Sequence, residues 1–168
     1  MQKPLRLLGM LLVLPCALPA RGQPPRNVLD YASLLPASYF PVLGSNKSTA
    51  GKRQMLRKDC EIDIPHGYLH LNSDGQPNFT VAIFKAAQGD YVMGVGSNER
   101  NAFDPYLAFY AYRRGSLIEV THQVLPIAYQ PELNCFLPRI GRTIRIQDKS
   151  GKSRGTLQWN GREFQASP

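Results

Sequence analysis

The sequence is poor in the residues that carry most recognisable chemistry. Its 168 residues include three cysteines, three histidines and one tryptophan, and 12 carboxylates against 20 lysines and arginines. A metal centre needs three or four close ligands, and this chain has few histidines and no cysteine to spare for one. No serine occupies a Gly-x-Ser-x-Gly elbow. Gly94-Val95-Gly96-Ser97 lacks the closing glycine of that motif and the third glycine of a dinucleotide fingerprint. The apolar run from Leu7 to Leu14 is interrupted by Pro15 and is far shorter than the ~20 residues that span a bilayer.

That short run has another reading. Lys3 and Arg6 precede it, and Ala20 and Gly22 stand three and one residues before Gln23, the small-residue spacing of a signal-peptidase site. Residues 1–22 are therefore expected to be a cleaved signal peptide, with cleavage after Ala20 as the alternative, and the product to be secreted or periplasmic with no transmembrane anchor. Pro15 before Cys16 argues against lipid attachment. Removing 22 residues leaves 146, enough for one domain with its own core, carrying 17 basic against 12 acidic side chains. In an oxidising compartment the remaining pair, Cys60 and Cys135, is expected to form one disulfide; two separate buried thiols are the alternative.

The chain is organised as an N-terminal helix and basic loop (23–60) followed by an antiparallel β domain (61–168), together one globular unit. Asn27 is placed to cap a short helix that Pro36 ends. The stretch from Gly44 to Asp59 carries Lys47, Lys52, Arg53, Arg57 and Lys58 and reads as a surface loop with one helical turn at most. From Glu61 onward, short β-branched and aromatic stretches alternate with glycine, asparagine and proline, the pattern of an all-β fold. Strands are predicted at 67–71, 79–86, 90–95, 106–112, 117–121, 142–147, 155–159 and 162–165. The expected fold is mainly β: an antiparallel β-sandwich or open barrel of about eight strands with a short N-terminal helix. Asn160-Gly161 predicts a two-residue type I′ hairpin. Period-two alternation turns Ile144 and Ile146 inward and Thr143, Arg145 and Gln147 outward. Tyr106 to Tyr112 is apolar on both faces, as for a central strand covered on both sides.

Three groups of residues are candidates for function. His66 and His70 would share a strand face with Tyr68, and with Asp63 they form the weak catalytic set of a small hydrolase. Asp59, Glu61 and Asp63 alternate, so a strand would crowd like charges that Arg57 and Lys58, or a calcium ion, must offset. The third group is cationic: Arg142, Arg145, Lys149, Lys152 and Arg154, with Arg139 and Arg162, face only Asp148 and Glu163 in the C-terminal region. Such a face suits an anionic glycan, lipid or protein surface, unless it only keeps the domain solvated. Export disfavours nucleic acid as the partner. No cofactor or metal is expected. The leading expectation is a non-enzymatic binding module of the envelope or medium; the alternatives are the hydrolase and an inhibitor of a secreted hydrolase anchored near a Cys60–Cys135 bridge.

Overall fold

A computed structural model of the chain describes residues 24–40, 48–71, 79–97, 107–125 and 133–167. The expected leader, Tyr106 and the turn at Asn72-Ser73-Asp74-Gly75 lie outside them. Helix α1 spans Val28–Ser33, and Asn27 caps it by accepting the Asp30 amide at 3.0 Å. Its buried side, including Val28, Leu29, Tyr31 and Ala32, supplies the apolar face it needs in order to dock. Ala37–Tyr39 adds one 3₁₀ turn.

The basic segment that follows is an 11-residue helix, α2 (Thr49–Asp59), rather than a loop. The Ser48 hydroxyl accepts the Gly51 amide at 3.1 Å, and Arg57 and Lys58 occupy the last turn, where cations suit the helix dipole. Its buried stripe is narrow: Gly51, Lys52, Met55 and Leu56. Lys52 donates to the Leu35 carbonyl, and its ammonium lies 5.3 Å from the Phe40 ring centroid. Burial pushes its pKa down. A lysine that looks solvent-facing in sequence is thus part of the helix seat.

Among the described residues ten strands follow, forming two antiparallel sheets. The first comprises β1 (Cys60–Asp63), β2 (Tyr68–Leu71), β3 (Phe79–Lys85), β4 (Tyr91–Gly96), β5 (Leu107–Arg113) and β6 (Ser116–Glu119), paired in chain order. After a short helix α3 (Thr121–Val124), the second comprises β7 (Leu133–Phe136), β8 (Thr143–Asp148), β9 (Ser153–Trp159) and β10 (Phe164–Ser167), also paired in chain order. Each sheet is a meander, because successive strands connect to their immediate neighbours. The mainly β architecture matches expectation. The strand number exceeds it because β1 and β7, four residues each, carry polar or mixed sequence.

The turns show which hairpin grammar applies where. Arg114 and Gly115, at φ of 52° and 96°, join Arg113 to its partner Ser116, so the two-residue type I′ geometry belongs to this pair. At Asn160-Gly161 the hairpin forms but the tight turn does not. Trp159 pairs with Phe164, leaving four residues in the connection, and the Asn160 side chain accepts the amides of Arg162 and Glu163. Asparagine here makes an Asx-type turn instead of adopting a left-handed conformation.

The six-stranded sheet packs against other layers on both faces. Leu69, Leu71, Phe79, Val81, Met93, Val95, Ala108 and Tyr110 point to the helices and bury Leu35, Phe40, Met55 and Leu56 against them. Tyr110 is part of this core, its hydroxyl 3.1 Å from that of Tyr39. The opposite face, through Phe84, Val92, Leu107 and Phe109, packs against Ile144, Ile146, Leu157, Trp159 and Phe164 of the second sheet. Phe164 is the hub, with ring centroids 5.1 Å from Phe84, 4.9 Å from Phe109 and 5.0 Å from Trp159. The result has three layers: helices, six strands and four strands.

This layering corrects the disulfide expectation. Cys60 packs with the helical core and Cys135 with the inter-sheet core, on opposite sides of the larger sheet, and both are free thiols. Burial, reinforced by Asp59, pushes Cys60 up to about 12, and burial alone pushes Cys135 up to about 11.

Candidate functional site

The second sheet covers only part of the first. Its core contacts fall on β3, β4 and β5, leaving the corresponding face of β1 and β2 without an apolar partner. Register places two polar rows there. Glu61, His70, Thr80 and Gly96 align across β1 to β4, and Asp63, Tyr68, Ala82 and Gly94 align beside them. Side chains diminish toward β4, where glycine lets the second sheet approach. A Cβ on Gly94 would lie 2.8 Å from Phe109 Cε1 and 3.1 Å from Leu137 Cδ2.

A groove of about 650 Å³ opens at this step. Tyr68, His70, Thr80 and Gly96 line it from the larger sheet. The β7–β8 connection with Phe136, Arg139 and Ile140, and then Thr143, Arg145 and Thr156, line it from the smaller one. On the outward face of the smaller sheet, Phe136, Arg145 and Thr156 form one cross-strand row. The Arg145 guanidinium carbon lies 5.6 Å from the Phe136 ring centroid, and Arg145 makes no ion pair among the described residues. Period-two alternation had placed Arg145 outward, and it is outward.

The other cations of the predicted patch are less available to the groove. Arg142 precedes β8 and is exposed; Lys149 and Lys152 flank the tip of the β8–β9 hairpin and are exposed. Arg154 donates to Asp148 at 3.0 Å. The Ser150 hydroxyl, the amides of Lys152 and Ser150, and Arg154 pull the Asp148 carboxyl down to about 2, so its negative charge persists at neutral pH. One acid therefore sits permanently among these cations. The hairpin bends at an irregularity between Ile146 and Gln147, where Gly155 takes φ of 113°.

The weak catalytic set divides. His66 Nδ1 and Asp63 Oδ1 are 2.9 Å apart on the β1–β2 turn, while His70 faces the groove with Nδ1 2.9 Å from Thr80 Oγ1. Arg139 donates to Glu61 and, at 2.9 Å, to Asp63. Its guanidinium, with His66 contributing, holds the Asp63 carboxyl below the usual carboxylate range. The crowding predicted on β1 is therefore relieved from 76 residues away by Arg139 rather than by Arg57 or Lys58. Asp59 does not join the row, because it ends α2. No group of three or more His, Cys, Asp or Glu among the described residues could hold a metal.

A second depression, about 530 Å³, lies toward the other end of β3 and β4 beside Val124, Trp159, Arg113 and Arg162. Trp159 is buried there, and its indole donates to the Lys85 carbonyl at 2.8 Å. The groove was not legible in sequence because His70, Phe136 and Arg145 meet only when the two meanders stack. Compared with known proteins, the chain matches no family model, no curated protein and no solved structure.

Proposed function

We propose that this chain is an exported, non-enzymatic binding module, secreted or periplasmic, that docks an anionic group on the outward face of the smaller sheet and in the adjoining groove. The observation that carries this reading is Arg145: a guanidinium without a carboxylate partner among the described residues, held over Phe136 at the mouth of a groove. Arg142, Lys149 and Lys152 keep the local field positive without lining the groove, which favours encounter with an anion. Binding to immobilised anionic glycan, anionic vesicles and an acidic protein should be measured between about 25 and 300 mM salt. Salt-sensitive binding to one of them, weakened by Arg145→Gln, is expected. No binding to any of the three at the lowest salt would remove this reading.

The hydrolase reading rests on the Asp63–His66 contact. It is the weaker one, because Arg139 occupies the same carboxylate and stabilises its ionised form, which opposes a general-acid role. Neither His66 nor His70 is hydrogen-bonded to a serine or cysteine among the described residues. Turnover of an envelope polysaccharide that disappears in His66→Ala would revive it.

A further inference from the structure

The lining of the groove narrows the ligand class. Resting on the binding reading above, we propose that the groove takes an acidic sugar, a uronate-type residue whose carboxylate meets Arg145 and whose ring hydroxyls meet the threonine, histidine and tyrosine groups of the floor.

Charge counting comes first. Two guanidinium groups line the groove, but Arg139 is shared between Glu61 and Asp63, so Arg145 is the one uncompensated arginine of the lining among the described residues. One fixed positive charge matches one carboxylate. A densely sulfated or phosphorylated ligand would find no second uncompensated cation in this lining, since Arg139 is already held by two carboxylates. The cations at the hairpin tip, Lys149 and Lys152, are not part of the lining.

Hydrogen-bonding chemistry points the same way. Thr156 and Tyr68 present hydroxyls, which both donate and accept, as the hydroxyls of a sugar do, while Thr143, donating to Gln158, and Thr80, paired with His70, add oxygens that can accept. His70 adds a ring nitrogen: Nδ1 faces Thr80, and Nε2 has no protein partner among the described residues. Such a set satisfies a polyhydroxylated ring better than an acyl chain or a peptide backbone.

Apolar surface completes the fit. Phe136 is half-buried beneath Arg145, and Ile140 is 69% exposed at the rim, an unusual position for a large aliphatic side chain. The C–H face of a pyranose can cover both. The volume of about 650 Å³ lies within the range of small-ligand sites.

The test is calorimetric titration of the protein with a galactose trisaccharide carrying a single galacturonate residue and with the matching neutral galactose trisaccharide, repeated with Arg145→Gln and Thr156→Val. The acidic trisaccharide should bind roughly tenfold more tightly than the neutral one, and Arg145→Gln should abolish that difference. Thr156→Val should weaken both sugars alike. Equal affinity of wild type for the two sugars, or a preference that survives Arg145→Gln, would overturn the proposal. A phosphatidylglycerol vesicle arm separates the two levels of inference. Arg145-dependent vesicle binding without sugar binding would overturn the sugar assignment and leave the anion-binding reading standing; no Arg145-dependent binding to sugar, vesicle or acidic protein would overturn both.

Discussion

Arg114 shows how a single residue can hold a conformation against its own preference. It is the one non-glycine among the described residues at positive φ, and it stays there because the right-handed twist of β5 and β6 demands a type I′ turn. A left-handed conformation costs an ordinary L-residue about 1–2 kcal/mol, and asparagine less. Arg114→Asn is therefore expected to raise unfolding stability by about 1 kcal/mol, read as a higher urea midpoint with unchanged slope. An unchanged or lower midpoint would mean that the turn is not under strain. The thiols give a second test at this scale. Cys60 and Cys135 lie in separate cores with pKa values of about 12 and 11, so almost no thiolate exists at pH 8. Iodoacetamide should label neither in the folded protein and both after denaturation without reductant. Labelling that requires reductant would restore the bridge.

Among the elements, those read correctly in sequence have a strong period. Ile144 and Ile146 on β8 and Leu157 and Trp159 on β9 alternate with polar residues, and their strands form with those faces inward. Asn27 and Pro36 bracket α1 as capping and proline chemistry require. The missed elements are those whose stability is tertiary. In α2, Met55 and Leu56 are its large buried apolar residues, and the rest of its buried stripe is Gly51 and the Lys52 stem, a signal visible only once Leu35 and Phe40 are known to lie beneath. β1 and β7 are four-residue edge strands, selected by pairing rather than by composition. Asn160-Gly161 misled because asparagine can satisfy amides with its side chain as readily as it adopts positive φ. Gly94 is a β4 residue whose role is spacing between sheets. Gly94→Ala should cost about 1–3 kcal/mol, since Phe109 and Leu137 must both retreat. A thermal melt unchanged from wild type would show that the sheets are less closely packed there than described.

For the whole molecule, the offset between the two sheets is what creates the groove. The smaller sheet seals β3 to β5 with an aromatic cluster around Phe164 and leaves the polar face of β1 and β2 beside it uncovered. Arg145 was legible as an outward cation, but its groove was not, since Tyr68 and Arg145 are 77 positions apart and belong to different sheets. The cationic run likewise looked uniform in sequence. Folding sorts it into an Arg139 bound to acids, an Arg154 bound to Asp148, and an Arg145 without an ion pair among the described residues. The most direct measurement is a ¹⁵N-edited NMR titration of the protein with the trisaccharide that carries a single galacturonate residue. The account expects the amide shifts of His70, Thr80, Phe136, Arg145 and Thr156 to move together along one binding isotherm while those of Lys149 and Lys152 barely change. Shifts centred on Lys149, Ser150 and Lys152, with the groove residues still, would contradict it.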